Sequence, residues 1–166
     1  MTEEREKAFW KRMEAFPCQF NLDIKFGFTT VDRRNIIRKL SHEMETTGFE
    51  LDAEWTRAFN VLSFLHWRLG DYNNAKEYSD KALLKRQDDV MALANQAWMH
   101  WMRCDFCEAE CILKKLEQLK GRRDLIVISK AEQAFAYTRF GPRYYKKAIE
   151  LFQDVIASAI EFKLEE

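Results

Sequence analysis

Asn60 to Tyr78 reads NVLSFLHWRLGDYNNAKEY, and its pattern returns as NQAWMHWMRCDFCEAEC over 95–111 and as FAYTRFGPRYYKKAIELF over 135–152. In the first copy, Leu69-Gly70-x-Tyr72-x-x-Ala75 has the layout of a helix end, a tight turn and a second helix packing back on the first. Gly70 supplies the permissive turn conformation, Asp71 a cap, Tyr72 a wedge between the two helices, and Ala75 a side chain small enough for their axes to approach. The second copy places Cys104, Asp105, Phe106 and Ala109 at these positions, 34 residues further on. That is the period of a tetratricopeptide repeat. The third copy has Gly141, Tyr145 and Ala148, with two extra residues in its turn. One repeat cannot bury its own apolar face, whereas about three stacked repeats begin to form a solenoid.

The expected fold is therefore all-α: three helix-turn-helix repeats at about 53–85, 89–119 and 125–162, preceded by a helical segment over 1–50. The region 51–166 is read as continuous with that segment in one domain. Residues 3–16 form an amphipathic helix through Phe9, Trp10, Met13 and Phe16, stopped by Pro17, and a connector leads on to Gly27. A second helix over 31–45, with Thr30 as its cap, has an apolar line of Val31, Ile36, Ile37, Leu40 and Met44. Its other face carries Arg33, Arg34, Arg38 and Lys39, for which a solvated helix face is the simple reading. Asp52 is expected to cap the first helix of the repeats.

Apolar residues make up 47% of the 166, which indicates a folded chain. Lys plus Arg and Asp plus Glu number 27 each, so any nucleic-acid site must be a local basic patch. The charged N-terminus lacks the apolar core of a secretory signal, and no run approaches a membrane span. With four cysteines and no export signal, the expected location is the reducing cytoplasm.

Cys104, Cys107 and Cys111, with His100 one turn earlier, have spacings that zinc could use. Packing as small apolar side chains is the simpler reading, and no metal is expected. His42-Glu43 opens a zinc-protease motif, but Thr46 stands where the second histidine belongs. No phosphate-cradling glycine loop or nucleophile elbow occurs, so neither an enzyme nor a cofactor is expected.

The inner face of the repeats is more informative. Its positions are Arg57, Asn60, Phe64, Trp67 and Arg68, then Ala94, Trp98 and Trp101, then Phe135, Thr138 and Arg139. Aromatic faces beside guanidinium groups stack bases and neutralise phosphates. Some of these aromatics serve equally well as inter-repeat core. The final helix carries Leu151, Phe152, Val155 and Ile160, more apolar positions than one neighbour needs, which points to a covering partner.

Four stretches together resemble the interferon-induced proteins with tetratricopeptide repeats. They are Pro17-Cys18-Gln19-Phe20, Asn60 to Leu65 with Gly70, Asn95 to Met99 with Glu108-Ala109-Glu110, and Arg139 to Ala148 with its enlarged turn. The resemblance runs from Cys18 to Phe152 and covers about the N-terminal third of longer members. It implies a cytosolic antiviral protein that binds single-stranded RNA 5′ ends, bearing a triphosphate or a cap, or that binds fellow family members. Carried over by position, it implies stacking by Phe135, phosphate contact by Arg139, a role for Tyr145, and a helix-2 grip near Asn35 and Lys39. A shifted register selects Arg34 or Arg38 instead. Trp67 and Arg68 complete the expected RNA groove.

Overall fold

The computed structural model describes residues 2–24 and 28–165; Gly27, the expected end of the connector, lies outside them. The helices are α1 (Glu3–Met13), α2 (Thr30–Thr46), α3 (Asp52–Arg68), α4 (Tyr72–Lys85), α5 (Val90–Met102), α6 (Phe106–Leu119), α7 (Arg123–Arg139) and α8 (Tyr145–Glu165). Short 3-10 turns occupy Gln19–Asn21 and Pro142–Tyr144. The fold is all-α, and no strand occurs among the described residues. Neither is any helix there long and apolar enough to cross a membrane.

The helices form consecutive antiparallel pairs, α3 with α4, α5 with α6 and α7 with α8. Close approach within each pair follows from Ala75, Ala109 and Ala148, which are all buried. The first two turns share one geometry. Gly70 (φ 79°) and Cys104 (φ 62°) both adopt the left-handed conformation that ends a helix. Asp71 N–H donates to the His66 carbonyl at 2.9 Å, and Asp105 N–H donates to the His100 carbonyl at the same distance. The side chains repeat as well, with His66 Nδ1 3.1 Å from Asp71 Oδ2 and His100 Nδ1 3.0 Å from Asp105 Oδ2.

Several local expectations need correction. Tyr72 does not wedge between helices; it leans outward, 43% exposed, against Trp67 (4.7 Å) and beneath the Arg103 guanidinium (5.0 Å). The α2 cap is Thr29, not Thr30. Its hydroxyl accepts from Asp32 N–H while the Asp32 carboxylate accepts from Thr29 N–H, a reciprocal box available only one residue earlier. Leu51 precedes α3, so Asp52 is its first residue, and Glu54 accepts the Leu51 N–H at 3.1 Å. Helix α1 stops at Met13.

Residues before α3 take part in both main cores. Phe9, Met13, Phe16 and Cys18 pack with Met91, Trp101, Leu113 and Leu116 of α5 and α6. Leu40 of α2 packs with Leu62, Leu65, Phe135 and Tyr144. Burying Phe9 and Phe16 alone contributes roughly 2–3 kcal/mol each.

Candidate functional site

The connector after α1 crosses α3, α5 and α7 on one side of the stack. Gln19 N–H donates to Asn95 Oδ1 at 3.1 Å, and the two side-chain amides bond to each other. Gln133 Nε2 donates to the Cys18 carbonyl at 2.7 Å, and Asp23 N–H donates to the Tyr137 hydroxyl at 3.0 Å. Phe20 sits among Phe64 (5.2 Å), Trp67 (6.1 Å) and Trp98 (5.4 Å). Trp101 lies beneath Phe9 with centroids 3.8 Å apart and is 3% exposed. The N-terminal segment therefore covers much of the aromatic surface that the sequence assigns to a groove, and Trp101 is core.

Two depressions among the described residues carry arginines of the expected groove, Arg139 in one and Arg68 in the other. One, of about 290 Å³, lies between α2 and the α7–α8 turn. Phe28, Asp32, Asn35, Ile36 and Lys39 form one wall, and Arg139, Phe140, Gly141, Arg143 and Tyr144 form the other. Gly141 has φ 108°, which lets the turn fold back towards α2. The second, about 270 Å³, is lined by aromatic and apolar side chains including Phe20, Phe64, Trp67, Trp98 and Met102, with Arg68 beside them. The Phe64–Phe140 ring pair, 6.1 Å apart, separates the two.

Phe135 is buried, not open for stacking: Arg57 lies 4.5 Å and Arg139 4.8 Å from its ring centroid. Arg139 also holds Glu43 through two hydrogen bonds of 2.7 and 3.0 Å, so a phosphate would compete with a carboxylate already in place. Tyr145 is half exposed on α8 and does not line the cleft; Tyr144, buried against Tyr137, does. Arg34 and Arg38 are exposed and are not among the cleft-lining residues, whereas Asn35 and Lys39 are. Of the two alternative registers, the structure brings Asn35 and Lys39 to Arg139.

Two arginines were not among the expected site residues. Arg143 lines the cleft from the enlarged turn, a position whose length already marked it as unusual. Arg33 lies over Phe28 at 5.4 Å, and burial together with nearby Arg68 holds its pKa below the usual guanidinium value. Arg33 lines neither depression, but of the two groups beside it Phe28 lines one and Arg68 the other.

On α8, Leu151 and Val155 are half-buried, while Phe152 and Ile160 are exposed. Tyr145, Ile149 and Ile156 extend the same exposed stripe at helical spacing. The cysteine expectation also changes. Cys104, Cys107 and Cys111 are exposed free thiols rather than packing residues, because α6 buries Ala109, Ile112, Leu113 and Leu116 instead. No group of three or more His, Cys, Asp or Glu side chains is placed to hold a metal among the described residues.

No protein-family model matches the chain. A search of curated proteins returns no match either.

Proposed function

We propose that this chain is a tetratricopeptide-repeat solenoid of the interferon-induced type that binds the 5′ end of single-stranded RNA in the cleft between α2 and the α7–α8 turn. The observation that carries this reading is the meeting of Lys39, Arg139 and Arg143 with the aromatic walls Phe28, Phe140 and Tyr144. Cations from two separate elements meet a phosphate chain there, and the first base lies against Trp67 in the neighbouring depression. Stacking of that kind is worth about 1–3 kcal/mol per base. The repeat assignment is supported by the matched turns at Gly70 and Cys104. The free thiols fit a reducing cytoplasm.

Fluorescence anisotropy tests the reading, with a short RNA bearing a 5′-triphosphate compared with its 5′-hydroxyl counterpart at two salt concentrations. Binding that prefers the triphosphate, weakens with salt and is weakened in Lys39→Ala supports it. Equal binding of the two RNAs, or salt-independent binding, refutes it, because phosphate contacts release counterions.

A second reading, favoured by the exposed α8 stripe, is docking of an apolar helix from another helical-repeat family member. Phe152→Asp and Ile156→Asp would abolish capture of such a relative while leaving RNA binding intact.

A further inference from the structure

Asp89 at the cap of α5 and Glu132 within α7 are 2% and 6% exposed, and they meet at one side chain of α3. Asn60 Nδ2 donates to Asp89 Oδ1 at 3.1 Å and stands 3.4 Å from Glu132 Oε1. Asp89 is well supplied, since Oδ1 also accepts the Ala92 N–H at 2.7 Å. Glu132 is not, and its buried Oε2 makes no hydrogen bond. Arg57 faces Glu132 from α3, Arg86 faces both acids from the α4–α5 turn, and Asp88 adds a negative charge beside Asp89. Neither arginine is in an ion pair with either buried acid; Arg57 pairs weakly with Glu54 at 3.9 Å.

Two carboxylates within reach of one amide, away from water, cannot both hold a charge without large cost. Burial raises both pKa values, Glu132 well above the ordinary carboxylate range, with the Asp89 charge adding to the rise. Arg57 is poised to respond. Its guanidinium covers Phe135, one helical turn from Glu132, and its Nε is buried without a hydrogen-bond partner. We propose that Glu132 and Arg57 form a proton-controlled pair, in which ionisation of the Glu132 carboxyl draws Arg57 off the Phe135 ring to the Glu132 carboxylate. Arg57 thus has two seats, and one proton selects between them. Moving it frees one face of an aromatic ring in the middle of the helix stack. This device does not depend on the RNA reading.

The test is carbon-13 NMR of the Glu132 side-chain carboxyl across pH, with the Arg57 Nε–H resonance followed in the same titration. The expected result is a carboxyl that titrates well above the ordinary carboxylate range, with Arg57 shifting at the same midpoint. In Glu132→Gln the Arg57 signal should be constant. Stability gives a second readout. A pKa higher in the folded than in the unfolded chain gives stability that is full below about pH 4.3 and lost as pH rises towards the folded value. Across that window the unfolding constant of the wild type should rise about tenfold per pH unit relative to Glu132→Gln. Titration of Glu132 with the ordinary acidic carboxylates, parallel stability curves for the two proteins, or ionisation without an Arg57 shift would each overturn the proposal.

Discussion

Arg139 and Glu43 form a two-pronged pair, Nη1 to Oε2 at 2.7 Å and Nη2 to Oε1 at 3.0 Å, which ties the end of α7 to α2 across one edge of the cleft. Both side chains are about one-third exposed, so the pair contributes about 1 kcal/mol or less. Glu43→Gln should therefore lower the urea midpoint only slightly. By freeing the guanidinium it should also tighten binding of a 5′-triphosphate RNA. Arg139→Ala is the poorer probe of binding, because it also uncovers Phe135 and perturbs the packing it is meant to leave alone.

Lys39→Ala and Arg143→Ala should each weaken triphosphate RNA binding and reduce its logarithmic salt slope by about 0.7, the share of one phosphate contact on a single strand. Arg34→Ala, from the exposed part of α2 outside the cleft lining, should leave the slope unchanged. Titrations at several salt concentrations distinguish the two outcomes.

Phe9→Ala removes the ring stacked on Trp101 and should cost about 3–5 kcal/mol in urea unfolding. Gln19→Ala leaves Asn95 buried and short of a partner, for about 1–3 kcal/mol. Losses this large are expected only if the N-terminal segment is part of the cooperative unit. Changes at or near zero in both variants would mean that it frays independently.

A thiol reagent added to the native protein should modify Cys104, Cys107 and Cys111 and spare Cys18. The first three are exposed, whereas burial leaves Cys18 inaccessible and pushes its thiol up to about 12. Absorbance should report three fast groups and a fourth only after unfolding.

Acid should destabilise the chain through a different set of groups. Hydrogen bonds from Asn74, from Arg122 and from Arg12 hold Asp71, Asp124 and Glu117 below their ordinary pKa values. A lowered folded pKa gives stability that is present above the unfolded value and lost as pH falls through the folded one. Thermal scans should therefore show a decline beginning below about pH 4. Asp71→Asn should blunt it.

The helix pairs were legible because their signals are local. A 34-residue spacing of turn and alanine positions survives even where Cys104 replaces glycine. The partial burial of α8 was legible too, since one neighbouring helix cannot cover Leu151, Phe152, Val155 and Ile160 together. What was not legible is long-range. Nothing in Cys18-Gln19-Phe20 announces contact with Asn95 or Gln133, so the sequence leaves open which of the aromatics beneath are groove and which are core. Phe135 was misjudged for the same reason, because its covering guanidiniums come from Arg57, 78 positions away in sequence, as well as from Arg139 one turn along. Cys107 and Cys111 were placed on the wrong side of α6 because periodicity alone leaves the phase of a short amphipathic helix loosely set.

The strap formed by residues 18–23 also bears on the order of folding. Its bonds to Asn95, Gln133 and Tyr137 span 76, 115 and 114 residues. An array held together only by neighbouring repeats can nucleate anywhere and melt from its ends. Here the segment preceding α2 cannot seat until α7 is in place, which adds slow, non-local closure to an otherwise local fold. Once closed, the same tie makes α3 and α7 open together, so their amide protons should exchange at similar, globally limited rates.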